Sequence, residues 1–400
     1  MELKDKFNFT LNAQKICRLL EKNVGEVRFI GGCVRDSLLD KDFSDIDIAT
    51  NLVPDVVEKI LSQNKISYYS VGKEFGTIIA VIENEKFEIT TLRKDLNCDG
   101  RHAKVLFSNS WSEDAMRRDF TINSLSCDLA GNVFDYCGGL EDLKNEVVRF
   151  IGDPEKRIIE DYLRILRFFR FSAYYAKTID HEGLEACKKQ RLYLKNVSGT
   201  RIRSELNKIF FAPKGLEILK LMHQEGVLTQ VLTCNDAAIK SLEKLFNLAI
   251  IFNYQISEIL ILSLFFSYLP EIEDKIQSFG FTRNEKSKIT ILIDIKIYDW
   301  SLVSLENYWQ KYKNNFPEII LLNLAISDIE INDKTELNKF FDKIYKDLPV
   351  KGSDLIKLNI KEGRNIGKLL DIADKIWCQR EFKISKKEML EVLSQYVNEL

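Results

Sequence analysis

The chemically most pointed pattern in the chain is Asp45-Ile46-Asp47, two carboxylates separated by one apolar residue. On a strand, period-two geometry sets both carboxylates on one face while Ile46 and Ile48 turn inward. Like charges so close repel, and a divalent cation is the natural compensation, so Asp45 and Asp47 are candidate ligands for Mg²⁺. A solvated Asp-rich turn is the alternative reading. Separated from Asp45 by twelve residues, Gly31-Gly32 ends a short apolar run, Val27 to Ile30, and opens the helical segment Val34 to Leu39. Backbone N–H groups at such a turn, backed by a helix start, can receive a phosphate. Arg35 falls on the first helical turn, where a guanidinium can meet an anionic oxygen.

The elements that must position these groups are legible in outline. Ser44 to Ala49 alternates, Thr77 to Ile82 and Phe87 to Leu92 flank a polar turn as a hairpin, and Ser124 to Leu129 with Val133 to Tyr136 repeats that signal. From Pro154 onward the period changes to three-and-four in Glu155 to Tyr175, Arg201 to Phe211 and Ala238 to Phe252. The chain therefore reads as α+β, a mixed head followed by almost wholly helical parts. The divisions expected are a head at 1–145, a neck at 146–212, a body at 213–345 and a tail at 346–400.

Composition removes several alternatives. With 400 residues, 45% hydrophobic, 18 Gly and 6 Pro, the chain is globular and neither collagen-like nor disordered. His102, His181 and His223 are the three histidines and stand far apart, which argues against a His-built hydrolytic metal site. Eight cysteines without a CxxC, and an N-terminus lacking a leader pattern, suggest reduced thiols in the cytoplasm. The apolar stretch Ile259 to Leu269 is too short to span a membrane and is expected as a core helix. Formal charge is −2 overall, yet residues 151–210 alone carry 13 basic against 8 acidic side chains, a local +5.

A strand, a Gly-Gly turn, a short helix and a strand bearing Asp-x-Asp resemble the nucleotidyltransferase superfamily that includes DNA polymerase beta. The resemblance implies a third acidic residue on a neighbouring strand, and Phe87-Glu88-Ile89 supplies Glu88, which would otherwise be an ordinary exposed position. It also implies two Mg²⁺ ions about 3.5–4 Å apart, assisting in-line attack by a hydroxyl and departure of pyrophosphate. Positioning and electrostatics then carry most of the catalysis, and no histidine is needed.

Five further segments occur in order: GGCVRDSLLDKDFSDIDIAT (31 to 50), TTLRKDLNCDGRHAKVLF (90 to 107), EDAMRRDFTINSL (113 to 125), EDYLRILRFFRFSA (160 to 173) and GTRIRSEL (199 to 206). Together they resemble the class II CCA-adding enzymes, which share a head with bacterial poly(A) polymerases; VKGSDLIKLNIKEGRNIGKLL (350 to 370) is similar to the tail of the bacterial branch. The resemblance implies template-independent addition of C, C and A to a tRNA 3′ end from CTP and ATP. Gly31, Gly32, Arg35, Arg117 and Arg118 would hold the triphosphate, Asp45, Asp47 and Glu88 the catalytic centre, and Asp119 with Asn123 the local structure. Asp161 and Arg164, three apart and so neighbours on a helix face, would read the base. A carboxylate accepts from the exocyclic amine of C or A, a guanidinium donates to the adjacent ring nitrogen, and U and G present the reverse polarity.

Arg167 and Arg170 continue that stripe toward phosphates or the RNA end, unless the stripe is simply a solvated basic face. The loop from Asp95 to Ala103, with Asp99, Gly100, Arg101 and His102, matches the family's flexible loop, tied to the switch from C to A addition. Lys188, Lys189, Arg191, Lys195, Arg201, Arg203 and Lys208, with Glu205 the lone acid among them, are candidates for acceptor phosphates. Gly352, Gly363 and Gly367 with Lys351, Lys361, Arg364 and Lys368 would meet RNA farther on, or cap helices. An A-adding enzyme and a poly(A) polymerase are the near rivals. Val71-Gly72-Lys73-Glu74-Phe75-Gly76-Thr77 stands where the polymerases carry a Gly-Arg-Arg-Phe-like segment. A catalytically inactive RNA-binding protein is the remote rival. No membrane and no obligate protein partner are expected.

Overall fold

The computed structural model describes residues 7, 9–43, 45–97, 104–232, 234–269, 272–298, 300, 302–327, 348–356, 364–380 and 384–396. The chain divides into two compact units, Met1–Leu232 with Ser278–Gly280, and Thr233–Gln277 with Phe281–Leu400.

The first unit opens with α1 (Leu11–Glu21), β1 (Val27–Ile30), α2 (Gly32–Leu38), β2 (Ile46–Thr50) and α3 (Pro54–Gln63). β3 (Ser67–Gly72), β4 (Thr77–Ile82), β5 (Glu85–Thr91), β6 (Arg93–Asn97) and β7 (Lys104–Phe107) follow. After α4 (Trp111–Met116) come β8 (Ser126–Cys127), β9 (Val133–Phe134) and α5 (Gly139–Lys144). Seven strands form one sheet in the order β3-β4-β5-β2-β1-β8-β9, and β6 pairs with β7 apart from it. β2 and β5 run parallel at the centre, while β1 lies antiparallel to β2. Phe87 and Ile89 of β5 are buried and Glu88 between them is exposed, the alternation that the pleat dictates.

The helices next in the chain are α6 (Pro154–Glu160), α7 (Leu163–Tyr175), α8 (His181–Gln190), α9 (Gly199–Phe210), α10 (Gly215–Gln224) and α11 (Leu228–Val231), with a 3-10 segment at Arg191–Asn196. The single helix expected over Glu155 to Tyr175 is in fact two. Asp161 leaves helical geometry at φ −155°, ψ 105°, and its carboxylate accepts from the Leu163 N–H at 3.1 Å. An Asp bonding locally to the backbone two residues on competes with helix continuation, and here it wins. Phe168 on the buried side of α7 stacks on Phe150, 5.5 Å away, which in turn packs on Phe120 at 4.8 Å. That aromatic cluster fastens α7 to the sheet-bearing part.

Among the described residues the regular elements of the second unit are all helices: α12 (Asp236–Ile251), α13 (Glu258–Phe266), α14 (Glu273–Ser278), α15 (Arg283–Asp294), α16 (Leu302–Tyr312), α17 (Phe316–Ile326), α18 (Gly352–Ile356), α19 (Arg364–Gln379) and α20 (Lys386–Tyr396). α13 is buried on every side from Ile259 to Phe266, the core helix expected of that apolar stretch. Among the described residues no helix is long and apolar enough to cross a membrane. The loop positions Asp99, Gly100, Arg101 and His102, and Lys361 and Gly363 of the tail segment, lie outside the described residues.

Candidate active site

Strand register brings the first groups together. Ile30, the residue before the glycine pair, lies opposite Asp47 across the β1–β2 ladder, and Asp47 lies opposite Glu88 on the parallel side. Gly31 adopts φ +72°, a conformation that favours glycine, and a Cβ there would stand 3.7 Å from Arg118 Nη1. Asp45 does not sit within the strand as expected: β2 begins at Ile46, and Asp45 is exposed just before it. Burial, and then the charge of Glu88, push the Asp47 carboxyl up to about 6 against the pull of Arg118, with Asp45 adding a further push.

Asp47 and both glycines open onto a cavity of about 780 Å³, which Arg35, Arg117, Arg118, Asp161, Arg164, Arg167 and Arg170 also line. Asp45 and Glu88 are not part of its wall. Nine basic side chains face this space against three carboxylates, so the cavity suits a polyanion. On α7 the lining positions 163, 164, 167, 170, 171, 174 and 175 follow helical spacing and form a single stripe.

The arginines are held by specific partners. Arg117 and Arg118 both bond the buried Asp114, at 2.8 and 2.9 Å. Burial alone would raise the Asp114 carboxyl, but the two guanidinium groups outweigh it and hold the group below its usual range. Arg167 meets Asp119 at 2.5 Å, and Asp119 accepts from Asn123 Nδ2 at 3.1 Å. Asp119 is therefore lowered too, against the upward push of its burial. Because α2 begins at Gly32 and not at Val34, Arg35 falls in the last turn of this short helix and not in its first, and its guanidinium is committed inward to Asn123 Oδ1 (2.5 Å), Asp36 Oδ2 (2.8 Å) and the Tyr175 hydroxyl (2.7 Å). Arg170 pairs with the buried Glu205 at 3.0 Å, so Glu205 is no surface acid.

Asp161 and Arg164 share the cavity wall without sharing one helix. Asp161 Oδ2 accepts from Arg201 Nη2 at 2.8 Å, and Arg164 Nη1 donates to Glu160 Oε2 at 2.5 Å and to the Arg157 carbonyl at 2.8 Å. A carboxylate has about four acceptor sites and a guanidinium five donors. Each group thus keeps capacity for a base edge.

Arg157 was not foreseen. It donates to the Met116 carbonyl at 3.0 Å and to the Arg118 carbonyl, while Arg164 Nη2 reaches the Arg117 carbonyl at 3.4 Å. These carbonyls lie at and just beyond the C-terminal end of α4, where no intrahelical donor remains. Asp114 and Arg93 were also missed, although Asp114 stands three and four residues before the two arginines, the spacing of helical ion pairs. Arg93 lines the cavity and donates to the Phe75 carbonyl.

A glycine turn beside an acidic strand, opening on an arginine-rich cavity closed by a helical stripe, defines a nucleotidyltransferase head with its neck. A family model described as the poly(A) polymerase head domain matches residues 27–149, and one described as a probable RNA and SrmB-binding site of polymerase A matches 178–239. Over 398 residues the chain is 32% identical to CCA tRNA nucleotidyltransferase 1, mitochondrial, of Danio rerio, covering 97% of this chain and 91% of that one. With the CCA-adding enzyme of Bacillus subtilis it shares 37% identity over 216 residues, 54% of this chain and 53% of the other. The fold matches that of the Thermotoga maritima CCA-adding enzyme solved with tRNA, at a TM-score of 0.67 and 22% identity over 98% of each chain. The chain belongs to the CCA-adding enzymes of the poly(A) polymerase family.

Proposed function

We propose that the protein adds C, C and A to the 3′ end of tRNA from CTP and ATP without a nucleic-acid template, releasing pyrophosphate. The observation that carries this is one cavity lined by the glycine turn, Asp47, the Asp114-held arginines and the Asp161–Arg164 wall. The Gly31 N–H is taken by the Leu125 carbonyl at 2.9 Å, so it is the N–H groups from Gly32 onward, at the start of α2, that receive phosphate oxygens, while Arg117 and Arg118 neutralise the triphosphate. Asp161, oriented by Arg201, accepts from the base amine, while Arg164 donates to the ring nitrogen beside it. Arg167 and Arg170, braced by Asp119 and Glu205, and Arg35, braced by Asp36 and Tyr175, hold the positive field in place before substrate arrives.

Enzymes of this class use divalent metal ions. Among the described residues no three acidic, His or Cys side chains form a ready metal cage. A hard cation bound by one or two carboxylates and completed by substrate phosphates fits the Asp47 environment, where like charges are crowded. We assign it as Mg²⁺, with Asp45 and Asp47 as ligands and Glu88 assisting. When bound, it supplies polarisation of the reacting phosphate and activation of the attacking hydroxyl.

The division into head 1–145, neck 146–212, body 213–345 and tail 346–400 is part of the same reading. So is a cytoplasmic location, supported by six free cysteines among the described residues, five of them buried. Incubation with tRNA ending before CCA, with tRNA ending in CC and with an unrelated RNA, with each labelled NTP in turn and with CTP and ATP together, tests the function. CCA addition gives three-nucleotide extension of the first and A addition to the second. Extension of the second alone would indicate an A-adding enzyme, and long A tails on every RNA would overturn the reading in favour of polyadenylation.

A further inference from the structure

We propose that Tyr193, stacked on Tyr162, forms a platform on which an unpaired nucleobase near the RNA 3′ end stacks; this rests on the reading above. The two rings lie 5.0 Å apart and within 13° of parallel. Unlike the buried Phe120, Phe150 and Phe168, Tyr193 is 45% exposed, and its neighbour Leu192 is 57% exposed. Tyr162 covers one face of the Tyr193 ring, so that exposure falls on the rest of the side chain.

Position makes the pair more than surface decoration. Tyr162 stands between Asp161 and Leu163, both in the cavity wall, so the stack begins one residue from the group assigned to read the incoming base. Tyr193 belongs to the 3-10 segment Arg191–Asn196, inside the stretch matched by the family model described as an RNA-binding site. Residues 151–210, which hold both tyrosines, carry the local excess of 13 basic over 8 acidic side chains. An aromatic face in a basic setting is the chemistry that holds single-stranded nucleic acid. Stacking is also tolerant of base identity, as an enzyme acting on tRNAs with different terminal bases requires.

The test measures equilibrium binding of two RNA hairpins, one ending flush and one carrying a single unpaired 3′ nucleotide, to wild type, Tyr193→Ala, Tyr193→Phe and Tyr193→Trp. KM values for tRNA lacking CCA and for CTP are taken alongside. Wild type should prefer the unpaired end by roughly five- to hundredfold, the range expected for one stacked base. Tyr193→Ala should lose that preference and raise KM for tRNA while KM for CTP stays in place. Tyr193→Phe and Tyr193→Trp, which keep a flat ring, should retain the preference and serve where Tyr193→Ala is unstable. Active wild type with an undiminished preference in Tyr193→Ala, or a lost preference in both ring-retaining variants, overturns the platform alone. Wild type that adds no nucleotide to tRNA overturns the functional reading and the platform with it.

Discussion

Three carboxylates at this site do two different jobs, and their surroundings decide which. Asp47 is half-buried beside Glu88 with Arg118 as its main relief, so its charge is poorly compensated until a cation arrives. Asp47→Asn removes a like charge beside Glu88, and is expected to abolish nucleotide incorporation while thermal unfolding shifts little or upward; normal incorporation would refute the assignment. Asp114 and Asp119 are instead over-compensated by arginines and sit below their usual range. A carboxylate whose folded pKa is depressed stabilises the fold above its unfolded value of about 3.9, and that contribution is lost as pH falls through the folded value. Asp119→Asn, which strips Arg167 of its partner, should cost about 3 kcal/mol at neutral pH. It should also flatten the loss of stability below about pH 4. Urea midpoints of wild type and variant at neutral and acid pH check both. A structural role for Asp119 with Asn123 was implied by the family resemblance, whereas Arg167 as partner lies 48 residues away and no local pattern announces it.

At the scale of elements, the outcome that matters is the junction between α6 and α7. Periodicity alone predicted one helix, because apolar spacing continues across the gap and hides the break. The capping chemistry of Asp161 overrode it and turned the Glu160–Arg164 stretch into a bend. That bend lets Arg157 and Arg164 reach back to the carbonyls at the end of α4, while Asp114 within α4 holds the two arginine side chains. Backbone and side chains of Arg117 and Arg118 are thus fixed from opposite ends. Arg157→Ala should therefore loosen the triphosphate arginines, raising KM for CTP and ATP together and lowering stability by about 2 kcal/mol. Arg157→Lys should recover part of the stability and less of the KM, because an ammonium cannot reproduce the forked donation. Steady-state kinetics with each nucleotide and a thermal melt separate these effects; unchanged KM values would reduce Arg157 to a fold contact. The sheet was easier to foresee, since the alternation at Phe87-Glu88-Ile89 and the Gly31-Gly32 turn each carry their own local signature.

Across the whole molecule, 58 basic residues against 60 acidic ones give a formal charge of −2, which by itself predicts indifference to polyanions. The fold undoes that average by gathering nine basic side chains on one cavity, against three carboxylates. Four of the remaining acids serve as internal partners: Asp36, Asp114, Glu160 and Glu205 each hold an arginine of this wall from behind. Such pairing is invisible to residue counts, because it depends on which acids the fold sets behind the wall. The first unit could be read closely for this reason: its chemistry sits in short motifs. The second offers only apolar spacing, as in α13, which specifies helices and burial but no ligand. Electrostatic binding to a phosphate chain releases counterions, so its strength falls with salt whatever the protein's net charge. Raising salt from about 50 to 200 mM should accordingly weaken tRNA binding by roughly tenfold or more. The comparison that isolates the wall is Arg201→Ala with Lys208→Ala, whose binding should be weaker at low salt and less steep in its salt dependence. Equilibrium binding of tRNA across that salt series decides it, and equal slopes for wild type and double variant would show that these two side chains meet no phosphate.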